Sequence, residues 1–349
     1  MRVTVDLGHR AYDVVMGSGV RRDLASLIQA RAPRARAAAI ITSASLRRQS
    51  WFDLDSGVEQ HVVEVPEGEA AKDWAVLGRL CESLAELGLS RYDVVVSVGG
   101  GAVTDVAGLA AALYQRGLAV VHVPTTLVAQ VDAAIGGKTA VNLTSGKNLV
   151  GAFHQPVGVL CDTDTLATLS ERERIGGLGE IAKCWLLEDR RAADLASTPL
   201  SGLAMMAVQL KAGLVMLDER DGSQRALLNY GHTLGHALEL LALERDADEL
   251  RHGEAVAIGL AYAVRLAHAL SRVGSREVTN HDQVLRALGL PARLPAFAST
   301  SALVAAMARD KKTHHDLTFV LPGPNGFEVV RRVEPGVVAA ALDQFRGES

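Results

Sequence analysis

The order of apolar and polar positions gives the chain two textures. From residue 1 to about 165, short apolar runs alternate with helical patterns. Residues 3–7 and 12–16 alternate with period two and predict a hairpin. Residues 37–42, 93–98 and 119–123 are apolar runs of strand length. Between them, residues 74–89 put Leu77, Leu80, Leu84 and Leu87 on one helical face, and residues 103–114 form a second helical stretch. Repeated strand–helix units predict a parallel sheet covered by helices. Beyond about 170, long Ala-, Leu- and Glu-rich segments take over at 203–217, 224–243, 253–270 and 301–308, with strand-like runs only at 317–321 and 327–331. The expected organisation is an α/β domain over 1–169 and a mainly helical domain over 170–349.

Composition narrows the function classes. The 349 residues are 48% hydrophobic, more than one compact core usually holds, which favours two domains. With 36 basic and 40 acidic residues spread along the chain, no basic run is long enough to track a phosphate backbone, so no nucleic-acid partner is expected. The cluster Arg31, Arg34 and Arg36 reads as a solvated helix end or loop. Cys81, Cys161 and Cys184 are scattered and form no CxxC pair, which suits small apolar residues in a reducing compartment. The first residues carry no signal-peptide pattern, and no apolar run reaches the ~18–20 residues of a membrane span. A soluble, cytoplasmic protein without a membrane partner is expected.

Three features carry candidate chemistry. Gly99-Gly100-Gly101 joins a strand to a helix, where backbone N–H groups and a helix dipole can receive a pyrophosphate. A tight turn needing positive φ explains the same glycines equally well, and Asp105 then complements the dipole in the first helical turn. His232 and His236 stand four residues apart on a helical stretch, His252 opens the next helix, and Glu180 offers a carboxylate. Two histidines and one carboxylate suit Zn²⁺ or a similar ion with positions left open for substrate. Glycines beside each candidate would allow a ligand close approach. Finally, Lys138, Lys147, Lys211, Arg225, Lys311 and Lys312 stand in or beside apolar or Gly-rich stretches. Cations beside a metal point to a substrate with phosphate and carboxylate groups.

In order along the chain, GGGAVTDVAG, VPTTLVAQVDAAIGGKTAVN, GKNLVGAFHQP, GLGEIAK, LLNYGHTLGHALE and HGEAVAIG resemble the 3-dehydroquinate synthase family. The likeness runs from the segment containing Glu69 and Lys72 to Asp310-Lys311-Lys312. It implies an N-terminal NAD-binding domain and a C-terminal domain holding one divalent ion, Zn or Co. NAD would lie on Glu69, Lys72, Gly100, Gly101, Asp105, Thr125, Thr126, Lys138, Lys147, Thr168 and Leu169. The metal would lie on Glu180, His232 and His252, and His236 moves to the substrate side. Phosphate would meet Lys138, Asn148, His236 and one of Lys311 and Lys312. Asp132, Lys183, Lys211, Arg225 and Asn229 would contact the carboxylate and hydroxyls. Arg116 would reach a neighbouring subunit's site, which implies a homodimer.

The implied reaction belongs to the shikimate pathway. It converts 3-deoxy-arabino-heptulosonate 7-phosphate to 3-dehydroquinate and phosphate by transient oxidation, elimination, re-reduction and aldol closure. Ala140, where the family pattern has Gly, and the segments 143–145 and 223–224 depart toward cyclases of secondary metabolism. The closest rival is an aminodehydroquinate synthase. A metal-dependent polyol dehydrogenase is the alternative from another enzyme class.

Overall fold

The computed structural model describes residues 1–243, 250–309 and 317–348. They fall into two compact units, residues 1–170 with 211–220, and residues 171–210 with 221–349. A single boundary at 169/170 does not contain that return of 211–220. Lys311 and Lys312 lie outside the described residues.

The first unit contains β1 (Arg2–Val5), β2 (Tyr12–Gly17), α1 (Leu24–Arg31), β3 (Ala37–Ser43), α2 (Ala44–Arg47) and β4 (Glu59–Val65). It continues with α3 (Trp74–Glu86), β5 (Val94–Gly99), α4 (Gly101–Leu113), β6 (Ala119–Pro124), β7 (Lys138–Leu143), β8 (Gly146–Phe153) and β9 (Gly158–Asp162). Seven strands form one sheet in the order β1-β2-β9-β6-β5-β3-β4, antiparallel only at the β1–β2 hairpin. Alternation along the strands builds two cores. Ala39, Ile41 and Val95 face Leu77, Leu80 and Leu84 of α3 and Val103 and Val106 of α4. Ala38, Ile40, Val94 and Val96 face the opposite way, onto Leu24, Ile28 and Trp51. The strand order reverses between β3 and β5, and crevices outside the carboxyl ends at such a point are the usual ligand sites of open α/β sheets. The triple glycine follows the end of β5 there. β7 and β8 form a separate antiparallel hairpin.

The second unit contains α5 (Glu171–Leu187), α6 (Ala192–Leu195) and most of α7 (Leu200–Leu217), whose last turns from Lys211 cluster with the first unit. α8 (His232–Leu243), α9 (His252–Ala269), α10 (Ser275–Ala287), α11 (Thr300–Arg309), the hairpin β10 (Leu317–Gly323) and β11 (Gly326–Val333), and α12 (Pro335–Gly347) complete it. α9 is buried nearly all round and packs on α5, α8, α10, α12 and β10.

Several expectations are corrected. The segment 224–243 is not one helix: a 3₁₀ turn, Gln224–Asn229, is separated from α8 by Tyr230 and Gly231, and Gly231 has φ +80°. α4 begins at Gly101, so Asp105 lies beyond the first turn. Gly99, Gly100 and Gly101 do not use positive φ. α7 is by length and composition apolar enough to cross a bilayer, contrary to the expectation, although just over half of it is buried inside the protein. Cys161 and Cys184 are buried as expected, Cys81 is only partly so, and all three are thiols outside any disulfide. Arg34 stacks on the Tyr92 ring, 3.5 Å from its centroid, so it is not simply solvated.

Candidate metal centre and nucleotide pocket

The second unit brings Glu180, His232 and His252 together, with one ligand atom from each lying within 4.8 Å of the others. Glycines set that distance, through the backbone and not through room for a ligand. A Cβ on Gly179 would stand 2.1 Å from the Gly253 carbonyl oxygen, and one on Gly253 would stand 1.6 Å from that of Gly176. α5 and α9 therefore touch backbone to backbone, which carries Glu180 to His252. A Cβ on Gly259 would likewise meet the Gly231 oxygen at 1.9 Å, which brings the start of α8 against α9.

The polar geometry suits an ion held through Nε2. His252 Nε2 is 3.1 Å and His232 Nε2 is 3.5 Å from Glu180 Oε1. The Nδ1 atoms are engaged elsewhere: that of His232 donates to the Tyr230 carbonyl at 3.1 Å, and that of His252 faces Glu239 Oε2 at 3.2 Å. Such outer partners fix the tautomer that leaves Nε2 for a metal. Lys183, one turn along α5, sets its ammonium 2.5 Å from Glu180 Oε2, and both side chains are buried. Burial pushes the Glu180 carboxyl up, but Lys183 and the two histidines hold it well below the ordinary carboxylate range. Burial, helped by Lys183, takes His232 down to about 3. For His252 burial is outweighed by Glu180 and Glu239, which lift it to about 10. The His236 ring centroid is 5.3 Å from that of His232 and 6.3 Å from that of His252, beside the triad but outside it. Arg225 is buried in the 3₁₀ turn, whereas Asn229 at the end of that turn is exposed. Two imidazoles with Nε2 directed inward and one carboxylate are a donor set that fits Zn²⁺ or Co²⁺.

In the first unit Lys72 is buried and pairs with Asp105 at 2.5 Å and with the Asn148 side-chain oxygen. Glu69 accepts from Asn142 Nδ2 at 2.6 Å, and Asn142 Oδ1 accepts from the Asn148 amide at 2.9 Å. Glu69, Lys72, Asp105 and Asn148 are thus one network, tied together by Asn142. Sequence reasoning passed over Asn142, although it stands in the TAVN string. Burial raises the Asp105 carboxyl to about 6, with Lys72 opposing the rise. Gly100 is closely packed, since a Cβ there would sit 3.0 Å from Thr126 Cγ2 and the threonine would have to give way. Gly101 faces Ala133 in the same way at 3.3 Å. Thr125 is buried, and its amide donates to the Gly99 carbonyl.

Lys211 donates to both the carbonyl and the carboxylate of Asp132, each at 2.6 Å, and Asp132 lies in a π-helical turn, Ala129–Ala133. Single π turns inside regular structure are frequent at functional sites. Lys138 and Lys147 are exposed on the β7–β8 hairpin. Thr168 is held by the Thr165 carbonyl and Trp51 Nε1, and Leu169 follows it. Arg116 is exposed after α4 with a left-handed backbone, φ +64°.

Residues 62–176 match the family described as 3-dehydroquinate synthase N-terminal, and residues 177–313 match 3-dehydroquinate synthase C-terminal. A protein of Amycolatopsis mediterranei named "Putative aminodehydroquinate synthase" is 50% identical, covering 100% of this chain and 96% of its own length. The 3-dehydroquinate synthase of Nocardia farcinica is 41% identical, covering 97% of this chain and 94% of its own length. The solved structure of a 2-epi-5-epi-valiolone synthase from Streptomyces hygroscopicus, with NAD⁺ and Zn²⁺ bound, is 31% identical and superposes with a TM-score of 0.81 over 97% of each chain. With both halves matched and relatives aligned end to end, the chain belongs to the 3-dehydroquinate synthase family and is an enzyme of that phosphate-eliminating cyclase type.

Proposed function

We propose that the chain closes a seven-carbon 2-keto acid 7-phosphate into a six-membered carbocycle with loss of phosphate. The observation that carries this reading is the Glu180, His232 and His252 cluster in a chain of this family. NAD rests on the first-unit network of Glu69, Lys72 and Asp105 with the loop at Gly100 and Gly101, and one Zn²⁺ or Co²⁺ rests on the second-unit triad. When bound, the ion acidifies the substrate hydroxyl and NAD⁺ takes up a hydride and later returns it. Lys183 balances the buried charge of Glu180. Asp132 and Lys211, already paired, present a carboxylate and an ammonium for proton handling and substrate orientation. Arg225 and Asn229 receive the substrate carboxylate. In the first unit Lys138 and Asn148 receive the phosphate, whose own oxygen serves as the base in its departure, and in the second unit His236, beside the triad, is a substrate-side group. Oriented cations of this kind act chiefly by positioning and by stabilising developing charge.

Two substrates fit this chemistry, 3-deoxy-arabino-heptulosonate 7-phosphate and its amino analogue. The 50% identity to the Amycolatopsis protein, against 41% to the Nocardia enzyme, favours the amino compound. Side-by-side assays of both with NAD⁺ and Co²⁺ or Zn²⁺, with product identification, decide between them. A carbocycle plus free phosphate, without net NADH, is the expected outcome. Stoichiometric NADH accumulation points instead to a polyol dehydrogenase and overturns the reading. Exhaustive chelation should abolish turnover, and His232→Ala should abolish metal retention. Turnover that survives chelation would remove the metal from the mechanism.

We also propose a cytoplasmic homodimer in which Arg116 reaches the neighbouring copy. Leu113, close to Arg116 in the chain, and Leu143, Leu149 and Phe153 of the β7–β8 hairpin expose apolar surface that a second copy would cover. Light scattering that gives a monomer mass at micromolar concentration would sink this part alone.

A further inference from the structure

We propose that Glu239 is a positioning residue of the metal centre, acting through His252. It lies seven residues after His232 on α8, so His232, His236 and Glu239 share one helical face. Its side chain is only 15% exposed, and its Oε2 lies 3.2 Å from His252 Nδ1. The opposite ring nitrogen is 3.1 Å from Glu180 Oε1. The carboxylate accepts a hydrogen bond from Nδ1–H, stops the ring from turning about its Cβ–Cγ bond, and would keep the remaining proton on Nδ1 once an ion replaced the one on Nε2. His252 needs that restraint more than its partner does. Its side chain is 37% exposed against 11% for His232, and His232 already donates Nδ1–H to the Tyr230 backbone carbonyl. A main-chain acceptor holds one imidazole and a side-chain acceptor the other. Glu239 itself is not one of the three clustered ligands. Carboxylates behind a ligating histidine typically contribute 10–100-fold to metal affinity.

The inference rests on the metal reading above, and Co²⁺ titration of the metal-free full-length protein separates the two. Binding is followed by competition with a chelator and by the visible Co²⁺ absorption. Wild type should take up one Co²⁺ per chain and His232→Ala essentially none. Glu239→Leu, which removes the acceptor, should bind Co²⁺ roughly 10–100-fold more weakly with an altered absorption band. Glu239→Gln keeps an uncharged acceptor and should fall between, and it carries the test alone if the leucine variant does not fold. The thermal midpoint of metal-free Glu239→Gln should match wild type, because a packing role would lower it without moving the band. Wild-type affinity and an unchanged band in both variants overturn the role of Glu239 and leave the metal reading standing. No Co²⁺ uptake by wild type overturns both.

Discussion

Asp105 combines burial with a single close cation, and that balance has a measurable sign. Its carboxyl is raised from an ordinary 3.8 to about 6 by burial, against the pull of Lys72. The neutral form therefore favours the fold. That contribution is present at pH 4 and is lost as the pH rises through 6. In urea unfolding of the NAD-free protein, the stability difference between wild type and Asp105→Asn should shift against wild type by roughly 1–3 kcal/mol between pH 4 and pH 7. A pH-independent difference would mean that Lys72 fully ionises the group. Lys211→Met makes a second test, because it strips the Asp132 carboxylate of its ammonium partner. It should lower kcat by about 100-fold or more if the pair handles protons, while one metal per chain is retained. Residues of this kind were legible in the sequence because a lysine in an apolar stretch is unusual. Asn142 and Glu239 were not, because an amide near the end of a hairpin strand or a carboxylate on a helix looks like ordinary solvated surface until the partner across the fold is known.

The contact of α5 with α9 depends on glycine in a way that substitution can test. Gly253→Ala puts a methyl 1.6 Å from the Gly176 oxygen, so the helices must separate. The expected cost is about 1–3 kcal/mol of stability, as for an overpacked core. Metal affinity should drop with it, since Glu180 and His252 ride on the two helices. Gly78→Ala in α3 is the control: nothing lies within 4 Å of its new Cβ, and it should gain about 0.5–1 kcal/mol from helix propensity. Thermal melts with Co²⁺ titration read both variants. The same glycines explain why α5 was missed in the sequence. Gly176, Gly177 and Gly179 argue locally against a helix, and only the neighbour they admit makes them favourable there. Conversely, the apolar pattern over 224–243 continues smoothly past Gly231, so periodicity alone could not find the break at its φ of +80°. Sheet strands such as β3, β5 and β6 were legible because both their faces are buried. β7 and β8 were not, because most of the hairpin's positions are partly or fully exposed and carry no clean alternation.

Across the whole molecule, each unit contains a buried neutral histidine outside the metal cluster that contributes to its acid sensitivity. Burial takes His122 down to about 3 in the first unit and His281 to about 4 in the second. Ser97 Oγ bonds His122 Nδ1 at 2.6 Å, and Tyr230 donates to His281 Nε2 at 2.7 Å. Both folded values lie below the unfolded 6.5, so their stabilisation is complete above 6.5 and is lost as the pH falls toward 3 or 4. Each should contribute up to about 1.4 kcal/mol per pH unit to the slope of unfolding free energy between pH 6 and 4. Denaturant titrations of His122→Gln and His281→Gln should each flatten that slope by the corresponding share. The division into two units also decides what the three cysteines report. Cys161 is buried in the first unit and Cys184 in the second, while Cys81 is only partly covered. A thiol reagent added to the native protein should modify Cys81 first. Cys161 and Cys184 should wait for their own units to open, so their labelling rates clock the two opening reactions separately. Mass mapping of the modified peptides over time would reveal whether NAD slows one clock and metal the other.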